Sequence, residues 1–464
     1  MQDLQKTVAP HQIFQLRNVR LFIAFSVFFT SRFYYPVFTI LFLDFGLTLE
    51  QFALLNAAWA ATIVLFEVPS GALADVIGRR NLLVFAGSMM VLEMALLCFA
   101  PRGNATWLFI IILINRVVSG IAEAAASGAD EAIAYDTLKK HNLEKEWPKV
   151  LSRQMRYQSI AHIVSMSVGA AIYDPSLMQR AADTLYIPIQ FNQGITLRFP
   201  LYLTLLMALC AFWTTWRMRE TESMLEDAPA LRDRCVPSVI QAFGVTLNAG
   251  RWILHTPFAL VIILVGLFFD HCIRMVVTLT SQYYRLIQLP EASFGIIGSV
   301  ISGLGIFIPR IARGLVQKQS PIKNLWVMVV ITLLGLAGMA FVRPIIGLVP
   351  VIFISSMMYL LHFFMSHYLN RITSSKQRAT VLSFKGLSFN LAYGLFGVLY
   401  AACFAILRDH AIEADPPPSA ADIENIVFSQ TLIGFPVYFI VFLFVVVTFA
   451  RWALKNNMEY NNPG

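Results

Sequence analysis

The sequence predicts an all-helical integral membrane protein with about twelve transmembrane helices. Of its 464 residues, 57% are hydrophobic and only 13% are charged, whereas a soluble domain carries about a quarter charged residues. The apolar residues form runs of roughly twenty, the length of a helix that crosses a bilayer, rather than the ten-residue alternating segments of a membrane barrel. Backbone groups inside lipid must be satisfied within the structure, and such runs satisfy them as helices.

We predict that the spans fall into two groups of six, separated by a charged, helix-breaking segment at residues 218–250. The first group lies at residues 19–43, 52–70, 82–100, 107–126, 152–173 and 197–217, and the second at 257–283, 294–315, 325–342, 345–368, 382–407 and 428–452. This pattern divides the chain into an N-terminal six-helix bundle (1–217), a cytoplasmic connector (218–250) and a C-terminal six-helix bundle (251–464). Many membrane carriers are built from two such repeats, with the solute site near the midplane.

The distribution of basic residues predicts the orientation of the chain. With the N-terminus in the cytoplasm, most of the 35 Lys and Arg residues fall in cytoplasmic segments. The opposite side holds only Arg102, Arg180, Arg198, Arg285, Arg343 and Arg408. This bias is the positive-inside rule, and it accounts for the net charge of +8 without a nucleic-acid partner. We expect both termini in the cytoplasm and a plasma membrane location, most simply the bacterial inner membrane.

The composition excludes several classes of site. The five cysteines form no CxxC pair, so we expect no metal and no cofactor. A nucleotide-binding loop with the pattern G-x-x-x-x-G-K-[ST] is absent from the sequence, which excludes ATP-driven transport by this chain. Catalytic patterns such as G-x-S-x-G and H-E-x-x-H are also absent, so we expect no enzyme.

A ten-residue motif follows the second predicted span: Gly71-Ala-Leu-Ala-Asp75-Val-Ile-Gly78-Arg79-Arg80. It resembles the signature of the major facilitator superfamily, G-x-L-x-D-x-x-G-R-R/K, and it occupies the same short cytoplasmic loop. The two glycines would allow a tight loop and close helix contacts. The resemblance implies a fold of two pseudo-symmetric six-helix bundles that transport a solute by alternating access.

The resemblance also implies gating roles for these residues. Asp75 would face the cytoplasmic end of span eleven, near Lys385, and hold the two halves together on that side. For Arg79 and Arg80 we expect partners in Asp130 and Glu131, at the inner end of span four. The alternative is that the two arginines only enforce the positive-inside topology.

A second element, Asn115-Arg116-Val-Val-Ser-Gly120 in span four, resembles the R-x-x-x-G element of the same family. Two departures accompany it. Span five lacks the Gly-Pro pair that marks many drug/proton antiporters, and the second-half counterpart of the signature, Pro309-Arg310-Ile-Ala-Arg313-Gly314, lacks the aspartate. The first departure counts against proton-driven drug efflux.

Ionisable residues within the spans are the main candidates for solute and ion binding, because each costs at least ~2.5 kcal/mol to insert into a bilayer. Arg32 lies about midway along span one, and Arg274 lies late in the middle section of span seven. The resemblance implies that these two spans are equivalent and line the central cavity. The pair resembles the two arginines that clamp an anion in organophosphate/phosphate antiporters, and guanidinium binds oxyanions bidentately. The alternative is a structural pair of Arg274 with Asp270, one helical turn away.

Span four carries Arg116, Glu123 and Asp130 at intervals of seven residues, which places them on one helical face. A carboxylate beside an arginine can change protonation as access alternates, and Glu123 is therefore the first candidate for proton coupling. The alternative is a buried Arg116–Glu123 pair that holds helices together. Weaker candidates are Glu93 in span three, together with His362 and Asn390 in the second half.

From these residues we predict a monomeric secondary active transporter of a small organic solute, coupled to protons by symport or antiport, with an anionic solute favoured by the two arginines. The alternative within the same class is multidrug or amphiphile efflux by proton antiport. A sensor without flux and a membrane-embedded enzyme are more remote alternatives.

Overall fold

The computed structural model describes residues 10–220, 231–373, 378–413 and 419–460, and within these ranges the chain forms helices and no β-strand. In the first half the helices are α1 Arg17–Thr30, α2 Phe38–Phe45, α3 Leu49–Ile77, α4 Arg79–Cys98, α5 Ala105–Ala126, α6 Ala129–Lys140, α7 Trp147–Tyr173, α8 Pro175–Thr184, α9 Gln193–Thr196 and α10 Phe199–Arg217. In the second half they are α11 Leu231–Leu254, α12 Pro257–Thr278, α13 Thr280–Leu286, α14 Ser293–Lys318, α15 Pro321–Ala340, α16 Leu348–Ile372, α17 Arg378–Ile412 and α18 Ala420–Tyr460.

Within the described ranges, eleven helical segments are long and apolar enough to cross a membrane. They correspond to eleven of the twelve predicted spans. The remaining prediction, residues 152–173, corresponds to α7, which is 27 residues long but carries Arg153, Arg156 and His162 among its residues. The polar side chains lower the hydropathy of α7 but not its length, so the helix remains long enough to span.

The predicted connector at 218–250 is more helical than its charge suggested. Helix α11 begins at Leu231 and runs to Leu254, so the expectation of a helix-breaking segment is wrong for its second half. Helix-forming residues such as Leu, Arg and Gln recur through this stretch and outweigh its single proline, Pro237.

The helices pack into two units. The first unit contains residues 1–35 and 62–244, and the second contains residues 36–61 and 245–464. In the first unit, α4 packs against α5 and α10, and α1 packs against α7 and α10. In the second unit, α12 packs against α16, α17 and α18, and α2 packs against α13. The second half of span one and the first half of α3 therefore belong with the helices of the C-terminal half.

Span one is broken in its middle, although its apolar sequence predicts one continuous helix. Helix α1 ends at Thr30, and α2 begins only at Phe38 after a single 3₁₀ turn at Tyr35–Val37. Pro36 lacks a backbone N–H and disfavours helical geometry in the residue before it, which explains the interruption. Arg32 consequently lies on non-helical backbone rather than within a continuous helix.

Neighbouring helices satisfy the backbone groups that the break releases. In the first unit, the Phe33 N–H donates to the hydroxyl of Thr204 on α10 at 3.0 Å. In the second unit, the Ser281 hydroxyl accepts from the N–H groups of Thr39 and Ile40 at 3.0 and 3.3 Å. An interrupted helix is tolerated at membrane depth only where such partners are present.

The carbonyl of Phe33 also requires a glycine on α7. A Cβ atom at Gly169 would lie 1.8 Å from the Phe33 oxygen, so any larger residue must displace the broken segment. We predict that Gly169→Ala lowers the stability by roughly 1–3 kcal/mol, as overpacking commonly does, and that thermal unfolding in detergent shows the loss.

Gly303→Ala is the matched control for that substitution. Gly303 lies inside α14, and an added Cβ would meet no atom within 4 Å, so alanine is expected to leave the unfolding temperature unchanged or to raise it slightly. Equal unfolding temperatures for the two variants would contradict the close approach at Gly169.

Candidate functional site

Four charged side chains of the first unit form a buried cluster, which we call the Glu93 cluster: Arg32, Glu93, Arg116 and Glu123. Arg32 Nη1 lies 2.6 Å from Glu93 Oε1, and Arg32 Nη2 lies 3.3 Å from Glu123 Oε1. Arg116 Nη2 lies 3.9 Å from the same Glu93 oxygen. Two arginines and two carboxylates make the cluster neutral when all four are ionised, which lowers the cost of burying them.

The four side chains differ sharply in exposure. Glu93 is fully buried, Arg32 and Arg116 are 2% and 5% exposed, and Glu123 is 36% exposed. Glu93 Oε2 is also buried and has no hydrogen-bond partner among the described residues. Glu123 is therefore the carboxylate of the cluster that the surroundings can reach, whereas Glu93 is enclosed beside the two arginines.

Polar and aromatic neighbours hold the cluster in place. Asn115 Nδ2 donates to the Glu93 carbonyl at 2.6 Å, and Arg116 Nε donates to Asn115 Oδ1 at 3.1 Å. The Arg32 guanidinium lies 5.7 Å from the centre of the Phe29 ring and donates to the Tyr34 hydroxyl at 3.3 Å. These contacts favour one orientation of both arginines.

The predicted face of Arg116, Glu123 and Asp130 is interrupted. Helix α5 ends at Ala126, and Gly128 has a φ of +74°, so Asp130 belongs to the next helix, α6. Glu123 forms an ion pair with Arg32 at 3.3 Å, and Arg116 lies 3.9 Å from Glu93. The heptad spacing was correct for α5, but it cannot extend through a residue in left-handed geometry.

A second cluster lies in the second unit and is centred on Asp270, which is fully buried. Arg274, one turn later on α12, forms an ion pair with Asp270 Oδ2 and donates to Asn390 Oδ1 at 2.8 Å. The guanidinium lies 5.1 Å from the centre of the Tyr393 ring, which is a cation–π contact. We call Asp270, Arg274, Asn390 and Tyr393 the Asp270 cluster.

Predicted candidates in the second half thus come together around Asp270. His362 Nε2 lies 4.0 Å from Asp270 Oδ1, and its side chain is 57% exposed. Asp270 Oδ1 is buried without a hydrogen-bond partner among the described residues, which makes it the acceptor that a protonated His362 would approach. Lys385, on α17, is half-buried with its ammonium 5.5 Å from the Phe389 ring.

The signature motif has a different local structure from the expected loop. Gly71 and Asp75 lie inside α3, and an added Cβ at Gly71 would meet nothing within 4 Å, so the expectation of a loop glycine at this position is wrong. Gly78 alone separates α3 from α4 and has a φ of +90°, a conformation that glycine adopts without strain. The side chain of Asp75 lies outside the part of the chain that the structure describes, and its gating role remains a prediction.

The two motif arginines contact partners other than the predicted ones. Arg79 forms an ion pair with Asp136 on α6. Arg80 donates to the carbonyls of Met218 and Trp216 at 2.9 and 3.0 Å. Asp130 instead accepts from the backbone N–H of Glu131 at 2.8 Å, at the start of α6. The arginines therefore tie the turn between α3 and α4 to α6 and to the end of α10.

Among the described residues of the second unit, two ion-pair groups were not predicted from the sequence. Arg285 pairs bidentately with Asp44, at 2.8 Å for both bonds, and also contacts Glu291. Arg408 lies 2.6 Å from Glu50 and 3.5 Å from Glu424. Each group joins the 36–61 segment to helices of the C-terminal half. These pairs join residues far apart in the chain, and no local sequence pattern predicts such a pair.

A sequence match over most of the chain establishes its family. The family model described as Major Facilitator Superfamily matches residues 20–397. The chain belongs to this superfamily. It is an integral membrane transporter of small molecules and not an enzyme.

Solved structures share the fold at low sequence identity. A bacterial homologue of the human lysosomal transporter Spinster is 14% identical, with a TM-score of 0.67 over 97% of this chain and 98% of that one. The nucleoside transporter NupG is 12% identical, with a TM-score of 0.65 over 92% and 98%. A D-xylose–proton symporter is 12% identical, with a TM-score of 0.63 over 90% and 96%. No curated protein matches this superfamily member by sequence.

Proposed function

We propose that this superfamily member is a proton-coupled secondary carrier of a small organic anion. The observation that carries the proposal is the position of Arg32 between two carboxylates of unequal exposure. Glu93, fully buried, neutralises one side of the guanidinium, and Glu123, 36% exposed, neutralises the other.

Protonation of Glu123 would change what Arg32 can bind. When Glu123 is ionised, it accepts from Arg32 Nη2 and the Glu93 cluster is neutral. When Glu123 is protonated, the cluster gains one net positive charge and Nη2 can donate to a carboxylate or phosphate oxygen of a solute. The proton and the anion would then bind together, which is the condition for symport.

The energetic basis of this coupling is the cost of an unpaired charge at membrane depth. An uncompensated arginine costs at least ~2.5 kcal/mol there, so the state with a protonated Glu123 and no anion is disfavoured. The state with both ionised Glu123 and a bound anion is disfavoured by repulsion between the two negative groups. A ligand shifts the equilibrium between two states only by its difference in affinity for them. Here Arg32 would bind the anion more tightly when Glu123 is protonated than when it is ionised.

The proposal assigns a comparable role to Arg274 in the second unit. It is 24% exposed, and its partners Asp270 and Asn390 leave its planar guanidinium against the Tyr393 ring. The positive-inside bias supports cytoplasmic termini and, with them, a plasma membrane location. We also propose a monomer as the transporting form.

The test is a binding screen on the purified protein in detergent. Thermal unfolding would be followed with organic anions, organic cations and neutral amphiphiles, each at acidic and neutral pH, since a ligand that binds the native state stabilises it by ~2.7 kcal/mol at one hundred times its Kd. We expect anions to stabilise the parent more at acidic pH, where Glu123 is protonated more often.

Three variants sharpen this screen. Glu123→Gln imitates the protonated carboxyl and is expected to bind anions equally at both pH values. The double variant Arg32→Gln/Glu123→Gln keeps the cluster neutral and should lose the anion response. Glu413→Gln, with a side chain 79% exposed, should behave as the parent. Equal stabilisation of all four proteins by lipophilic cations would overturn the proposal and favour amphiphile efflux.

A further inference from the structure

A cavity of about 600 Å³ lies between α1 and α7, at the end of the first unit where both helices begin. The two helices run in the same direction, because the Phe22 and Trp147 rings lie 5.9 Å apart near one end and Gly169 meets Phe33 near the other. The cavity volume falls within the range of ligand sites. None of its lining residues belongs to the Glu93 cluster.

The mouth of this groove is positively charged. Arg20, in the first turn of α1, and Arg153, in the second turn of α7, both line it. Among the described residues neither guanidinium has a carboxylate partner, and the Arg153 guanidinium lies 3.4 Å from the centre of the Phe14 ring. Arg32, Arg274, Arg285 and Arg408 are each neutralised by an acidic side chain, so these two arginines are available to an external anion.

The body of the groove is apolar. Each helix contributes three residues at helical spacing, and they are Ile23, Ala24 and Val27 of α1 and Ile160, Ala161 and Val164 of α7. Ile160 and Val164 are 54% and 49% exposed, which shows that the groove is open along its length. From Arg153 to Val164 the groove follows α7 for ~16 Å, about half the ~30 Å hydrocarbon thickness of a bilayer.

We propose that this groove binds an anionic phospholipid of the surrounding bilayer. The lipid phosphate would lie between Arg20 and Arg153, and one acyl chain would follow the apolar residues for the depth of a single leaflet. Basic pockets between transmembrane helices bind anionic headgroups in this way. With cytoplasmic termini the site faces the inner leaflet, and it does not depend on the identity of the transported solute.

The experiment uses the full chain, delipidated in detergent, with phosphatidylglycerol and phosphatidylcholine as matched probes and glycerol phosphate as the headgroup alone. Bound lipid is counted by native mass spectrometry, and thermal unfolding without added lipid verifies that each variant is folded. We expect phosphatidylglycerol to bind at least about tenfold more tightly than phosphatidylcholine, the ratio that ~1.4 kcal/mol produces.

Two variants and one control locate the site. Arg20→Gln/Arg153→Gln should weaken phosphatidylglycerol binding by roughly 25-fold, since each basic side chain near an anionic surface contributes about fivefold. Ala161→Trp fills the groove without altering its charge and should also abolish binding. Arg156→Gln removes an exposed arginine of α7 that does not line the groove and should leave binding unchanged.

Several results would overturn the proposal. Equal binding of the two phospholipids would show that the arginines do not select the headgroup. Equal binding of glycerol phosphate and phosphatidylglycerol, undiminished in Ala161→Trp, would identify a site for free anions instead. If Arg156→Gln weakened phosphatidylglycerol binding as much as the double variant does, the binding would depend on diffuse surface charge and not on this groove.

Discussion

Glu93→Gln is expected to destabilise the protein by about 3–5 kcal/mol, the usual effect of breaking a buried ion pair by removing one partner. Glu93 is fully buried and is the nearest carboxylate to two arginines. Its neutral replacement would remove the carboxylate that pairs with Arg32 at 2.6 Å and that Arg116 approaches to 3.9 Å. Because native proteins are stable by only ~5–15 kcal/mol, we expect a large fall in the thermal unfolding midpoint and in the yield of folded protein.

A compensating variant separates charge balance from packing. Glu93→Gln/Arg116→Gln restores neutrality, and it should recover at least half of the lost stability, because the effects of substitutions within one network are not additive. Glu413→Gln again serves as the exposed control. A cost for Glu93→Gln no larger than for Glu413→Gln would show that the buried arginines do not require this carboxylate.

Glu123→Gln is expected to abolish proton-driven accumulation of the solute in proteoliposomes. Each unit of pH gradient is worth about 1.4 kcal/mol, so one proton per anion and two pH units allow the parent to concentrate its solute about 100-fold. A glutamine side chain does not take up or release a proton, so the variant can only equilibrate the solute across the membrane. The measurement is the ratio of internal to external solute at steady state.

Exchange of solute for solute provides the internal control for that experiment. It needs no net proton movement, so Glu123→Gln should retain it, whereas Arg32→Gln/Glu123→Gln should lose it together with anion binding. Accumulation by Glu123→Gln to the level of the parent would exclude Glu123 as the coupling group. The comparison also distinguishes a folded, uncoupled carrier from a damaged one.

Much of the helical architecture was predictable, and its exceptions have local causes. Eleven predicted spans correspond to helices apolar enough to cross a membrane, because length and hydropathy are properties of a continuous segment. The break at Pro36 was readable in principle, since proline interrupts helices. The break lies within an apolar run that otherwise predicts one continuous helix. The hydrogen bonds that compensate for it come from Thr204 and Ser281, which are far away in the chain.

The sequence predicted most of the residues of the candidate site, but it did not predict which of them form ion pairs with one another. Arg32, Arg116 and Glu123 lie in one cluster, as do Asp270, Arg274 and Asn390. Glu93 ranked as a weaker candidate because nothing near it in span three marks it as special, yet it is the centre of its cluster. Arg79 likewise contacts Asp136, less than two helical turns beyond the predicted Asp130.

The order of the amino acids is enough to establish the membrane class, the helical spans and the family, because the bilayer imposes its demands on each segment separately. A segment must be apolar over ~20 residues and must satisfy its own backbone, and the signature motif is likewise contiguous. Only the packing of the helices establishes which charge neutralises which. A buried ion pair depends on a few ångströms between side chains such as Arg32 and Glu93, 61 residues apart in the chain, and no continuous segment of sequence contains that distance.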